Sequence, residues 1–310
     1  MTAHTTTSRT ALGGSVDVTS DADRRARRAA IALMCGALLC FACLDATGKW
    51  LVRHVPVWEI VWARYLGATL LVLPFINPWT TPRMLRSARP FLQIVRACLL
   101  FGSTALNFLA LRKLQLAETM AISFAMPLLV ALLAGPVLGE WVGARRLAAI
   151  CVGFVGVLVV LRPGAGAVDP AAGYAVAGLF CYSFYNMFTR MLAASDPSGT
   201  TTLYSALSGV VILTPLLPLF WVWPDSALLW LLLGLMGFFG GFGHWLLILA
   251  HGRAPAAILA PFVYTQIVWM VGLGFAVFGD VPGPFTLVGA LIVVSSGLYL
   301  FAFERMSRRV

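Results

Sequence analysis

Residues 29–50 read AAIALMCGALLCFACLDATGKW. The run carries only two charges, Asp45 and Lys49, both near its far end. As a helix rising ~1.5 Å per residue it reaches about 33 Å, enough to cross a hydrocarbon core of about 30 Å. Arg24, Arg25, Arg27 and Arg28 stand just before it, a flank that signal peptides and first membrane helices share. The run is long enough to span and lacks a convincing cleavage site, so it reads as a retained helix. Residues 1–28 are rich in Thr, Ser, Ala and Arg, with too little apolar content to fold, and read as a disordered tail.

Working outward, stretches of similar length recur near 57–77, 90–111, 115–138 and 144–162, then near 171–193, 200–222, 226–250, 254–279 and 284–303. The breaks carry turn and interface residues, among them Pro56 with Trp58, Pro78 with Pro82, the segment from Pro163 to Pro170, Trp223 with Pro224, and Pro282 to Pro284. With 60% of 310 residues hydrophobic and 11% charged, most of the chain must face lipid; no soluble domain needs this much apolar content. The net charge of +10 lies in short clusters between apolar blocks, which argues against a nucleic-acid partner. Cys35, Cys40, Cys43, Cys98, Cys151 and Cys181 all fall inside apolar segments and imply no disulfide framework. Cys40 and Cys43 form a CxxC, but with no His or second Cys pair nearby no metal site is expected.

An even number of spans puts the termini on one side. That side holds Arg24, Arg25, Arg27, Arg28, Arg83, Arg86, Arg89, Arg145, Arg146, Arg190, Arg253, Arg305, Arg308 and Arg309, fourteen in all, against Arg53, Arg112, Lys113 and Arg162 opposite. The positive-inside rule therefore places both termini in the cytoplasm.

Shifting the sequence by 140 or 141 positions aligns its halves. Cys40 meets Cys181, Asp45 meets Asn186, Lys49 meets Arg190, Pro74 meets Pro215, Gly102 meets Gly243, Arg112 meets Arg253, Gly139 meets Gly279, Glu140 meets Asp280 and Gly156 meets Gly297. Charged and turn residues recurring at a near-constant offset indicate duplication. Five spans per copy is odd, so the second copy enters from the other face. The expected fold is an all-α integral membrane protein of ten transmembrane helices in two inverted five-helix repeats, with any substrate site between them.

Asp45 to Lys49 (DATGK), Glu59 to Arg64 (EIVWAR), Leu116 to Pro127 (LAETMAISFAMP) with Gly139-Glu140, and Gly153 to Pro163 (GFVGVLVVLRP) resemble the EamA family of the drug/metabolite transporter superfamily. The resemblance covers about 29–304. It divides the chain into a cytoplasmic tail over 1–28, a first EamA repeat over 29–163, an external linker over 164–170, a second repeat over 171–304 and a tail over 305–310. The stretch Ser87 to Phe101 (SARPFLQIVRACLLF) is most similar to a subgroup that includes S-adenosylmethionine and riboflavin uptake carriers. The resemblance implies a secondary transporter of a small polar metabolite, an amino acid or related compound, in a bacterial inner membrane. Family members also export metabolites and drugs, so direction stays open.

Ionisable and polar groups at membrane depth are costly and mark candidate sites. Asp45 and Arg64 should both lie roughly 10 Å below the outer surface. Two readings compete, a brace between the first two helices and a substrate or gating role; Lys49, one turn from Asp45, pairs with it or snorkels. Gln93, Arg96, Ser103 and Asn107 recur on one face of the third helix and look into a cavity or onto neighbouring helices. The cavity reading makes Arg96 a binder of a substrate carboxylate or phosphate. Pro127 frees the carbonyl of Ser123, and Pro261 does the same in the ninth helix. Such breaks mark a binding region or are packing kinks. Tyr264 aligns with Phe124, whereas Gln266 lies about 200° round from Tyr264, so the two compete for one cavity. Tyr182, Tyr185, Asn186 and His244 complete the candidates, with His244 a candidate proton carrier. The glycines between Gly234 and Gly243 form a face for close helix packing or flexing.

The competing classes are an intramembrane enzyme and a channel. No HExxH, GxSG-like setting or matched Asp pair supports the first, and no filter or charge ring the second. No ATP-binding motif is present, so energy is expected from proton coupling or exchange, without a cofactor.

Overall fold

The structure is a computed structural model and describes residues 21–74, 85–139, 143–162, 169–254 and 256–307. In chain order the α-helices are α1 (Asp21–Leu51), α2 (Val57–Val72), α3 (Pro90–Leu111), α4 (Leu116–Ser123), α5 (Met126–Leu138), α6 (Ala144–Leu161), α7 (Pro170–Leu192), α8 (Ser198–Leu213), α9 (Leu217–Phe220), α10 (Ala227–Arg253), α11 (Ala256–Leu259), α12 (Gln266–Phe278) and α13 (Pro284–Ser307). The described residues contain no strand. Among the described residues, seven helical stretches are long and apolar enough to cross a membrane, and Leu147–Leu161 is a shorter apolar helix. The chain is thus all-α with several apolar spans.

Local chemistry fixes the helix ends. Pro90 and Pro170 start α3 and α7, where a missing N–H costs nothing, and Asp169 accepts from the Ala171 N–H at 2.8 Å. The Gln115 N–H donates to Glu118 at 2.9 Å at the start of α4, and Ser226 caps α10. α5 and α12 both end on a glycine in the left-handed region, Gly139 at φ 74° and Gly279 at φ 69°. These glycines are repeat mates, so the two halves end the same element in the same way.

One finding differs from the expectation. Helix α1 begins at Asp21, so residues 21–28 extend the first helix where a disordered tail was expected; Ala and Arg are strong helix formers and continue a helix already nucleated by its apolar part. The fourth and ninth apolar stretches are each broken, as expected from Pro127 and Pro261. α4 gives way to α5 at Phe124 and Ala125, and a 3-10 segment, Ala260–Thr265, separates α11 from α12. Pro127 and Pro261 account for both breaks. Pro78, Pro82, Arg83, Glu140 and residues 163–168 lie outside the described residues.

The halves interlock. α1 packs chiefly on α10 and α3 on α7; α2 packs on α10 and α8 on α3; α1 packs on α12 and α7 on α5. Exchanging each helix for its mate in the other half turns the first member of each pair into the second. Two pairings, α2 with α8 and α6 with α13, map onto themselves, and α4 packs on α12 where the broken stretches of the two halves meet. Phe124 and Tyr264 meet edge to face at 5.0 Å, so the two breaks touch where the halves cross. One apolar cluster joins α1, α2, α3, α8, α10 and α12 around Phe108 and Met236; another joins α4, α5, α6 and α13 around Leu128 and Val293.

Candidate functional site

Three groups of polar side chains lie among these helices. The first gathers opposite charges from α1 and α2. The Asn107 amide donates to Asp45 at 3.0 Å, and the Arg64 guanidinium donates to Thr104 Oγ1 at 2.7 Å. Asn107 and Thr104 are three residues apart on α3, so one face of α3 holds both charges. Arg64 also lies 5.3 Å from the Tyr65 ring, and its Nε is buried with no hydrogen-bond partner among the described residues.

The expected direct brace between Asp45 and Arg64 is absent; they form no salt bridge, because each is engaged by α3 instead. Lys49 is likewise corrected. Its ammonium pairs with Asp280, beyond α12 in the other half, and not with Asp45.

Around these charges stand aromatic and polar groups. Tyr182 and Tyr185 on α7 stack at 5.6 Å with 22° between planes, and the Tyr182 residue is 39% exposed. Arg64 is near enough to interact electrostatically with Asp45, Tyr182 and His244. Tyr182 and His244 are exposed, whereas Asp45 and Arg64 are half-buried. The ring N–H at Nδ1 of His244 donates to the Gly240 carbonyl at 2.7 Å, which leaves Nε2 unused, and the ring meets Phe41 edge to face at 4.9 Å. Asn186, the repeat mate of Asp45, donates to the Tyr182 carbonyl at 2.7 Å.

The second group surrounds Arg96, which is completely buried, as is Gln93. The Arg96 guanidinium donates to Gln93 Oε1 at 3.1 Å, Thr201 O at 2.6 Å, Ser205 Oγ at 2.9 Å and Thr189 Oγ1 at 3.4 Å, and lies 5.1 Å from the Tyr185 ring. Gln93 Nε2 donates to Asp196 at 2.8 Å and to Thr201 Oγ1 at 3.1 Å. Asp196 also accepts from Ser87 and from the Ala88 N–H at 2.9 Å. Burial pushes the Asp196 carboxyl upward, but those donors with Arg89 outweigh it and hold the group below the ordinary carboxylate range. The Gln93 and Arg96 part of the α3 stripe therefore faces α7 and α8, contrary to the cavity reading. Ser103 is buried and bonds its own helix at Leu100 O, 2.8 Å away; only Asn107, half-buried, reaches the charged locus.

The third group follows the breaks. Ser123 is exposed and donates back to Thr119 O at 2.8 Å. Tyr264 packs on Phe124 and over Gly297, where an added Cβ would lie 2.0 Å from its hydroxyl. Gln266 is half-buried at the start of α12. The structure does not bring these three to the Asp45 and Arg64 locus through any recorded bond.

Sequence reasoning missed Thr104, Tyr65, Asp196 and Asp280. Thr104 was findable, since it stands three residues from Asn107; Asp280 was marked by its match to Glu140. Asp196 carried no signal beyond a turn.

Residues 28–162 match the EamA-like transporter family, and residues 170–302 match it again. The chain belongs to the EamA-like transporter family. It is accordingly a multi-pass membrane transporter and not an enzyme. Among curated relatives, the S-adenosylmethionine uptake transporter of Rickettsia prowazekii (strain Madrid E) is 25% identical, over 85% of this chain and 89% of that protein. The riboflavin transporter of Vibrio cholerae serotype O1 is 26% identical over 87% and 92%, and that of Rhizobium johnstonii 27% over 87% and 90%. A solved crystal structure superposes with TM-score 0.62 at 19% identity, covering 89% of this chain and 98% of that one, which speaks to fold alone. EamA relatives named as carriers of small metabolites agree with a site of mixed charge and aromatic surface.

Proposed function

We propose that the chain is a secondary transporter that moves a small zwitterionic metabolite by alternating access, through a site formed by Asp45, Arg64, Asn107 and Tyr182. The observation that carries this reading is the separation of Asp45 from Arg64. Two opposite charges in a low-dielectric setting attract strongly, and holding them apart on Asn107 and Thr104 leaves each able to receive a substrate charge. Arg64 suits a carboxylate, with its Nε still unfilled. Asp45 suits an ammonium or sulfonium, and the Tyr182 and Tyr185 faces suit a flat ring or a cation. An amino acid or a nucleoside-bearing one meets this description; S-adenosylmethionine, carried by some relatives, has all three parts.

The proposed architecture is ten crossings as two inverted repeats, 29–163 and 171–304, joined by an external linker over 164–170, with both tails cytoplasmic. The exchange of contacts between halves supports it. Gln93 and Arg96 hold α3 against α7 and α8 and set Tyr185 in place, while Ser103, Ser123, Tyr264 and Gln266 shape the site's surroundings. A gradient of substrate, protons or a counter-substrate drives the cycle.

The test is uptake of labelled S-adenosylmethionine, riboflavin and single amino acids into proteoliposomes. Saturable uptake of a zwitterion is expected. Asp45→Asn and Arg64→Gln should each weaken apparent affinity roughly 10- to 100-fold, the worth of one charge-assisted hydrogen bond at ~1.5 to 3 kcal/mol. Uptake of a neutral compound alone, with unchanged affinity in both variants, would overturn the assignment.

A further inference from the structure

Asp45 stands one helical turn from Lys49 near the end of α1, and Arg53 follows in the turn just beyond the helix. Lys49 is 5% exposed, and its ammonium contacts the carboxylate of Asp280. It also lies 4.7 Å from the Phe278 ring, with the exposed Arg53 guanidinium 5.4 Å from the same ring. Asp280 is presented rigidly. Gly279 turns the chain out of α12 in the left-handed region, and the Asp280 N–H donates to Gly274 O at 3.0 Å.

We propose that Lys49 and Asp280 form a gate, an ion pair that closes the seam between α1 and α12 directly above Asp45 and must break for substrate to pass on that side. The inference rests on the transport reading. Three observations set the pair apart from a plain brace. It joins the two halves, the bodies that must move relative to each other in alternating access. It lies between the charged locus and the surface. Its two ends differ, since the Lys49 side chain is 6% exposed while that of Asp280 is 24% exposed. Asp280 can rehydrate as the seam opens, which keeps breaking the pair from stranding a buried carboxylate. Arg53, at the same ring, offers a second cation at the mouth.

The test uses full-length protein in which the six native cysteines, all free, are replaced. A reducible bis-methanethiosulfonate joins Lys49→Cys to Asp280→Cys in proteoliposomes. Cross-linking should stop flux, and reductant should restore it; undiminished flux in fully cross-linked protein would overturn the gate. A second readout needs no transport. An Asn107→Cys reporter is labelled by an impermeant thiol reagent from the Arg53 side, with and without Asp280→Asn. Losing the charge should raise the labelling rate about tenfold, the effect of ~1.4 kcal/mol less closed-state stabilisation. A brace predicts less folded protein at an unchanged labelling rate, and that result rejects the gate. If the wild-type protein shows no saturable uptake yet labelling rises, the transport reading fails and the gate stands.

Discussion

Arg96 is a buried positive charge whose guanidinium touches no carboxylate among the described residues; neutral oxygens of Gln93, Thr189, Thr201 and Ser205 surround it, and Asp196 is reached through Gln93. An uncompensated buried charge is expensive unless its hydrogen-bonding capacity is filled, and here three elements supply the acceptors. Arg96→Gln should therefore act on folding before it acts on binding. Each lost bond to a charged group is worth ~1.5 to 3 kcal/mol, so a lower melting temperature in detergent is expected, with apparent substrate affinity changed less than about threefold in the molecules that fold. A stable Arg96→Gln protein with strongly weakened affinity would instead make Arg96 part of the substrate contact. The residues of this stripe were legible from the sequence because spacings of 3, 7 and 4 repeat one helical face. What periodicity of one helix cannot supply is the identity of the neighbour. Gln93 and Arg96 meet α7 and α8, whereas Asn107, on the same stripe, meets Asp45.

At the scale of elements, α10 shows how small residues set distance between helices. A Cβ added to Gly237 would fall 2.4 Å from the Gly67 Cα, and one added to Gly67 would fall 2.3 Å from the Gly237 Cα, so α2 and α10 cross backbone to backbone. Gly234, one turn earlier, has nothing within 4 Å. Gly237→Ala should therefore destabilise by about 1 to 3 kcal/mol through overpacking, while Gly234→Ala should be neutral or stabilising by up to ~1 kcal/mol through helix propensity. Thermal unfolding of the two variants side by side measures this; equal behaviour would mean that the crossing adjusts freely. The glycine face was visible in the sequence, but not that α2 is its partner. Helix positions were legible because apolar length and turn residues decide them locally. The span criterion is met less evenly: α7 is long enough but carries Tyr182, Ser183, Tyr185 and Asn186, and α2 has 16 residues, or about 24 Å of rise. Polarity in α7 is what a helix facing a substrate space requires, so the same residues that weaken its membrane signature carry its proposed role.

At the scale of the whole molecule, contacts sort the connections into two ends. At one end Lys49 meets Asp280, the Val222 N–H donates to Glu59 at 3.2 Å, and Arg162 lies 4.2 Å from the Phe285 ring. At the other, Asp196 holds Ser87 and Ala88, and the Tyr204 hydroxyl donates to Leu85 O at 3.0 Å. The connections after α1, α6 and α12 thus share an end, and those before α3 and after α7 share the opposite one. Successive crossings that alternate direction give this sorting, and with the fourteen-to-four bias in basic residues we propose that the second end is cytoplasmic. His54 and Ser195, both exposed, report on the two ends. In intact cells carrying the cysteine-replaced protein, His54→Cys should react with an impermeant maleimide, and Ser195→Cys should react only after the membrane is opened. The reverse pattern would invert the orientation and leave the architecture intact. Labelling of both positions from outside would break the alternation itself, and with it the inverted repeat, because two connections separated by an odd number of crossings cannot share a face.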